Sequence, residues 1–133
     1  MVTNRISPEN IISLKDIDIF VFGSNLAGAH GGGAARTAFQ KYGAIWGQGV
    51  GRQGQSYAIP TMNLELNRIL TYIDEFIIYA QQHPELTFMV TSIGCGIAGF
   101  HAKEIAPLFK RAVKVNNIYL PAIFWNFLQS YLS

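Results

Sequence analysis

Glycine is concentrated in two parts of this sequence. All 13 glycines lie within residues 23–54 and 94–99, and each part begins directly after a short apolar run. Glycine has no Cβ, so its backbone can adopt positive φ and neighbouring main-chain N–H groups can converge on one ligand. The usual ligand of such a loop is a phosphate. The distribution therefore favours a fold in which two strands lead into glycine-rich loops.

Short apolar runs alternate with segments of helical pattern along the chain. Residues 7–16 are predicted to form a turn and an irregular segment. Strands are predicted at residues 18–23, 56–60, 86–93 and 117–124. Helices are predicted at residues 34–43, 64–82, after the 94–101 loop, and at 125–132.

Two of these segments carry more specific predictions. In the helix after residue 101, Pro107 should lie near the start of the regular part, with a distinct first turn at 102–106. Residues 44–55 form a glycine-rich loop that could act as a mobile flap. The predicted order of elements is β-α-β-α-β-α-β-α.

Strands that alternate with helices pack as a mostly parallel sheet with helices on both faces. The sequence therefore predicts the α/β class, in a three-layer α/β/α arrangement, with residues 1–133 as a single domain. Ligands of such sheets bind beyond the carboxyl ends of the strands. Both glycine loops follow strands, so we expect them to line one crevice.

Composition indicates a compact globular protein. Hydrophobic residues make up 50% of the chain and charged residues 14%, which is not the composition of a disordered segment. The net charge of +2 comes from scattered Lys and Arg residues, so non-specific binding to nucleic acid is not expected. The longest uncharged run, residues 115–133, contains Asn, Gln and Pro and is too polar to span a membrane.

Cys95 is the only cysteine, so the chain has no internal disulfide and no cysteine spacing typical of a metal site. A single cysteine without a disulfide partner fits a reducing compartment. Residues 1–8 lack the apolar core of a secretory signal. We therefore expect a cytoplasmic protein with no metal and no membrane partner, and the sequence leaves its oligomeric state open.

Two segments, 94–99 and 49–54, match the pattern G-x-G-x-x-G of dinucleotide-binding loops. The second copy precedes a predicted strand, and the first is not followed about 20 residues later by an acid that could bind a ribose. The pattern G-x-x-x-x-G-K-[ST] of P-loop nucleotidases is absent from the sequence. A nicotinamide site or a P-loop is therefore not the favoured interpretation.

The two loops together fit a different pattern. Asn25 is followed by the glycine run 31–33 at the start of a predicted helix, and residues 93–100 read I-G-C-G-I-A-G-F. This pair resembles the ligand loops of the macro domain, a family that binds ADP-ribose and its derivatives. The resemblance implies a macro-domain-like fold and ADP-ribose or a related nucleotide as the ligand. It also allows an ADP-ribosylated macromolecule as a partner, and it implies no cofactor.

Individual roles follow from the resemblance. It implies that Asn25 holds the terminal ribose, that the run 31–33 lies along this ribose and the diphosphate, and that the amides of 94–97 bind the diphosphate. Asn25 is also the candidate catalytic residue. The predicted ligand-binding set is Gly23, Ser24, Asn25, Gly31, Gly32, Gly33, Ser92, Gly94, Cys95, Gly96, Ile97, Ala98, Gly99 and Phe100.

The sequence also departs from the family pattern. Members usually open with Gly-Asp-Ile, whose Asp binds adenine, whereas this chain has Asp16 and Asp18 close to the first strand. Phe124 or Trp125, after the fourth strand, could instead stack on a base. Many members have an aromatic residue where Ala98 stands, and hydrolytic members often have an acid in place of Ala35. These differences count against catalysis more than against binding.

Three functional hypotheses follow. The first is a protein that binds ADP-ribose or a related phosphorylated nucleoside and hydrolyses ADP-ribosyl bonds, with Asn25 positioning the ribose. The second is a reader module that binds without turnover. The third is an α/β hydrolase that uses Cys95, with a pKa lowered by a helix N-terminus, and a histidine. The sequence fixes no partner base for Cys95, so a small buried side chain that fills space is the favoured interpretation of this residue. His30 and His101 flank the two loops, but we interpret both as solvated or capping side chains.

Overall fold

The computed structural model describes residues 4–132. Residues 1–3, which contribute to the secretory-signal expectation, and residue 133 lie outside the described residues. The strands are β1 (Ile6–Ser7), β2 (Asp18–Ser24), β3 (Gly51–Gln53), β4 (Ser56–Pro60), β5 (Thr87–Val90) and β6 (Ile118–Pro121). The α-helices are α1 (Gly33–Lys41), α2 (Leu66–Gln82), α3 (Ala102–Ile105) and α4 (Ala122–Leu128), with 3-10 helices at Ala106–Lys114 and Gln129–Tyr131.

The strands form one six-stranded sheet in the order β1-β6-β5-β2-β4-β3. All neighbours pair in parallel except β3, which runs antiparallel to β4. In the middle of the sheet, Val21 of β2 pairs with Tyr57 on one side and with Val90 on the other. The predicted α/β class and the mostly parallel sheet are confirmed, and the carboxyl ends of β5, β2 and β4 lie side by side.

Side chains of β2 alternate between the two faces of the sheet, as the strand period requires. Ile19 and Val21 belong to the larger core, which also contains the apolar faces of α2, α4 and the 3-10 helix Ala106–Lys114. Phe20 and Phe22 pack on the opposite face against Ala38 of α1. Helices therefore cover both faces, and among residues 4–132 α1 is the one helix that packs opposite the larger layer.

The apolar residues of α2 recur along the whole helix and pack into the larger core. Ile69, Ile73, Phe76, Ile77 and Ala80 are all buried and recur at three- and four-residue spacing.

Among the described residues, no helix combines the length and the apolar character needed to cross a membrane.

Some element boundaries differ from the predictions. β1 overlaps the predicted turn and irregular segment 7–16 at Ser7, and it forms because Ile6 and Ser7 pair with Leu120 and Pro121. The last strand ends at Pro121, after which α4 begins, because Pro121 provides the N-cap of the helix and cannot continue a ladder of N–H donors. The distinct first turn near Pro107 is confirmed as α3, but the regular part that follows is a 3-10 helix.

Candidate functional site

A cleft of about 590 Å³ opens at the carboxyl ends of β5, β2 and β4. Its walls come from the loops after β2 and β5, the start of α1, the residues after β4, and residues 9–11. The chain leaves β2 towards β4 through α1, and it leaves β5 towards β6 over the opposite face of the sheet. The cleft thus lies at a point where the connections of two adjacent strands diverge, which is the usual ligand crevice of such sheets.

The two glycine loops lie close to each other at this cleft. A Cβ atom built on Gly23, at the end of β2, would lie 3.4 Å from the main-chain nitrogen of Gly94. A Cβ atom on Gly32 would lie 3.8 Å from Cδ1 of Ile97. Side chains at Gly23 and Gly32 would therefore narrow the space between the loops.

Most of the predicted site residues line the cleft. They are Gly23, Ser24, Asn25, Gly31, Gly32, Gly33, Ser92, Gly94, Gly96, Ile97 and Ala98. Within the described part of the chain, Cys95, Gly99 and Phe100 are not among the lining residues. Cys95 and Phe100 instead pack at the margin of the larger core. The turn at Gly94–Gly99 therefore presents only part of its length to the cleft.

The cleft offers main-chain N–H groups. Gly32 is the N-cap of α1, and within residues 4–132 no side chain caps this helix end. The first amides of α1 therefore have no acceptor inside the helix. In the other loop, the N–H groups of residues 96–98 make no hydrogen bond to any described residue. Converging amides of this kind bind anions without help from a basic side chain.

Charged side chains are scarce in the cleft. Glu9 is the only ionisable side chain among the described lining residues, and it is exposed. Arg36 does not line the cleft, and Arg52 donates hydrogen bonds to the Gly54 carbonyl and to the Tyr79 hydroxyl. An anion here would be held by amide dipoles and hydroxyl groups.

Asn25 organises its own loop. Its Oδ1 accepts a hydrogen bond from the Ala29 N–H at 2.9 Å, and its Nδ2 donates to the Ala29 carbonyl at 3.0 Å. The side chain therefore closes a turn, and it lines the cleft as well. A carboxamide has a second N–H and further lone pairs, so one donor and one acceptor stay available to a ligand.

Residues 44–55, the segment predicted as a possible mobile flap, form hydrogen bonds that brace the first loop. The Gly47 N–H donates to the Gly28 carbonyl, and the Ser24 hydroxyl donates to the Gly49 carbonyl. Gln53 adds hydrogen bonds to main-chain atoms inside the segment. The segment packs behind the loop and does not line the cleft within the described residues.

The environment of Cys95 argues against a nucleophile. Burial raises the pKa of its thiol, and the charge of Glu104 raises this pKa further. The direction is opposite to the lowered pKa proposed from the sequence. A thiol in this state is mostly protonated at neutral pH, and the thiolate is the reactive form.

Alkylation of Cys95 by iodoacetamide should therefore be slower in the folded protein at pH 7 than in the same protein unfolded by guanidinium. The folded rate should rise only as the pH passes above the ordinary thiol range, because the folded pKa is the higher one. Mass spectrometry of timed samples measures both rates. Faster alkylation of the folded protein at pH 7 would restore the nucleophile hypothesis.

The two histidines that flank the glycine loops make contacts with other groups of the protein. His30 is 1% exposed, and its Nε2 forms a hydrogen bond with the Ile45 carbonyl. The ring also lies edge-on to Phe22. His30 is therefore not the solvated side chain expected from the sequence. His101 is the N-cap residue of α3, the position expected from the sequence, and its main-chain N–H donates to a carboxylate oxygen of Glu104.

Phe124 and Trp125 are not available to stack on a base in the cleft. Phe124 and Trp125 are 0% and 2% exposed within the larger core. The indole N–H of Trp125 donates to the Arg5 carbonyl at 2.8 Å. Asp18 lies at the start of β2, about 20 Å from the cleft end of that strand. Neither these aromatics nor Asp18 can reach a base in the cleft.

Several lining residues were not predicted. They are Glu9, Asn10, Ile11, Phe20, Ala29, Ala34, Ala35, Thr37, Thr61, Met62, Thr91 and Ile93. Thr61 and Thr91 follow strands directly, so the rule that ligands bind at carboxyl strand ends could have indicated them. Residues 9–11 reach the cleft through tertiary packing and carry no local signal.

No metal centre was found in the described part of the chain, where no group of three or more His, Cys, Asp or Glu side chains could hold an ion. Comparison with protein-family models found no match, and comparisons with curated proteins and with solved structures found no significant match. The macro-domain resemblance therefore stays a prediction.

Proposed function

We propose that this protein binds ADP-ribose or a related phosphorylated nucleoside in the cleft at the carboxyl ends of β5, β2 and β4. The observation that carries the proposal is the meeting of the two glycine loops, with Gly23 beside the Gly94 nitrogen and free amides on both sides. A volume of about 590 Å³ is within the usual range for small-molecule sites. The diphosphate would lie between the loops.

The remainder of the cleft suits a nucleoside. Ile11 and Phe20 contribute apolar surface, and Asn10 and Glu9 contribute an amide and a carboxylate at the rim. An amide can pair with the donor and acceptor edge of a base. The macro-domain resemblance supports the same ligand, and this chain would then be a divergent, macro-domain-like member of that family acting in the cytoplasm.

Two modes of action fit the proposal. In the first, the protein hydrolyses an ADP-ribosyl ester or phosphate, with Asn25 orienting the ribose and a water near the diphosphate. In the second, it reads an ADP-ribosylated macromolecule or a free nucleotide without turnover. The reader is favoured by the lining, where Ala35 stands in place of an acid and Glu9 is the only ionisable group among the described residues.

Calorimetric titration with ADP-ribose, NAD, AMP and ATP tests the proposal. We expect saturable heat with ADP-ribose and weaker heat with AMP, which has only one phosphate to bind between the loops. Absence of binding by all four nucleotides to the folded protein would refute it. Release of ADP-ribose from a modified protein separates the two modes, because a reader releases none.

Replacing Asn25 with alanine should weaken ADP-ribose binding about tenfold, since the loop loses its internal brace and the ligand loses one polar partner. The unfolding free energy should fall by about 1 kcal/mol. Calorimetry and chemical denaturation measure the two effects. Asn25→Asp is the matched control: it keeps the acceptor for the Ala29 N–H but adds a negative charge to a cleft proposed to bind an anionic ligand, so it should bind ADP-ribose more weakly than the alanine variant. Native affinity in both variants would remove Asn25 from the site.

A further inference from the structure

Thr61 is a buried polar residue at the floor of the cleft. It directly follows β4, and its N–H donates to the Ser24 carbonyl at 2.9 Å. Only 2% of the residue is exposed, yet it contributes to the lining. The small exposed part of Thr61 therefore faces the cleft.

The Thr61 hydroxyl makes no hydrogen bond with any residue in the described range 4–132. Other buried or half-buried hydroxyls at the strand ends do have protein acceptors. The Thr91 hydroxyl donates to the Val21 carbonyl at 2.8 Å, and the Ser24 hydroxyl donates to the Gly49 carbonyl at 2.6 Å. The Ser7 hydroxyl donates to the Val90 carbonyl at 2.6 Å. Thr61 differs from these neighbours, although it lies at the same edge of the sheet.

The hydroxyl lies where the two glycine loops meet. A Cβ atom built on Gly23 would be 3.3 Å from Thr61 Oγ1 and 3.4 Å from the Gly94 nitrogen. A hydroxyl donor and a main-chain N–H therefore approach the same small region beside Gly23. The Ile93 Cβ atom lies 3.4 Å from the same position. A hydroxyl and a main-chain N–H so close together can both donate to one phosphate oxygen.

We propose that the Thr61 hydroxyl is a binding group for the diphosphate of the ligand, which it contacts from the floor of the cleft. This inference rests on the proposed function. It adds the end of β4 to the two glycine loops as a third part of the diphosphate site. Thr61 Oγ1 is not among the fully buried atoms that lack a partner, so solvent in the cleft reaches it in the free protein. Valine has the same shape and gives up no hydrogen bond to the protein at this position. The hydroxyl is therefore available to a ligand.

Removal of the Thr61 hydroxyl should affect ligand binding without lowering the thermal stability of the free protein. Thr61→Val should leave the melting temperature of the free protein equal to or above that of the native protein. The same variant should bind ADP-ribose about tenfold more weakly, and binding of pyrophosphate should weaken as well. Thr61→Ser keeps the hydroxyl and should restore most of the affinity. Thr91→Val removes a hydroxyl that has a protein acceptor, so it should lower the melting temperature and serves as the stability control.

Thermal denaturation of the four proteins and calorimetry with ADP-ribose and pyrophosphate provide the test. Native affinity in Thr61→Val, while the native protein binds ADP-ribose, would overturn this inference and leave the proposed function intact. An effect on ADP-ribose with none on pyrophosphate binding would also overturn the assignment to the diphosphate. Failure of the native protein to bind any of the nucleotides would instead refute the proposed function, and this inference with it.

Discussion

Replacing Gly96 with glutamate is expected to abolish ADP-ribose binding, with a loss of a hundredfold or more in affinity. The new carboxylate would stand among the amides that we propose as the diphosphate site, so like charges would repel at short range in a partly enclosed site. The fold should tolerate the change, because Gly96 is exposed and a Cβ atom there has no heavy atom within 4 Å. Its φ is also outside the left-handed region.

Gly96→Gln is the matched control for charge, since it has nearly the same size as glutamate. We expect the glutamine variant to retain much more affinity than the glutamate variant, and both to unfold at nearly the native denaturant concentration. Calorimetry and circular dichroism measure these quantities. Equal losses in both variants would mean that bulk, and not an anionic ligand, explains the effect. Unaltered affinity in both would remove the second loop from the site.

Replacing Gly49 with alanine is expected to cause the largest loss of stability among the substitutions considered. A Cβ atom there would lie 2.2 Å from the Asn25 carbonyl oxygen and 2.6 Å from that of Leu26. These are main-chain atoms, so the loop after β2 must move. We expect the unfolding free energy to fall by about 3 kcal/mol, which corresponds to a melting temperature roughly 10 °C lower.

The Gly49 variant should also bind ADP-ribose poorly, although Gly49 itself does not line the cleft within the described part of the chain. The reason is that Gly49 supports the backbone of Asn25 from behind. Gly96→Ala is the control, because it adds the same methyl group where there is open space. A native melting temperature in Gly49→Ala would show that residues 44–55 do not brace the loop.

The strands and helices were predictable where a long local pattern exists. The apolar run of β2 and the three- and four-residue spacing in α2 gave both elements nearly correct bounds. β1 has only two residues, and its ladder depends on Leu120 and Pro121, more than a hundred positions away. No local pattern can reveal such a strand, because its pairing is decided by tertiary structure.

In the candidate site too, some features were predictable from local sequence and others depend on tertiary structure. The sequence predicted that the two glycine loops would meet at one edge of the sheet, and the structure brings Gly23 and Gly94 together there. It gave no indication that residues 9–11 reach the cleft, or that Phe124 and Trp125 are buried in the core. Exposure depends on which elements pack together, and a residue's own neighbours in sequence do not determine that.

The sequence by itself determined the α/β class and the location of two glycine loops at strand ends, because strand and helix periodicity and the absence of Cβ atoms are local properties. Only the tertiary structure decided which side chains face the cleft. Thr61 directly follows β4 and Cys95 lies in the loop after β5, yet Thr61 lines the cleft and Cys95 packs beside the core. The physical reason is that the orientation of each side chain is fixed by packing across the sheet, which involves residues distant in sequence.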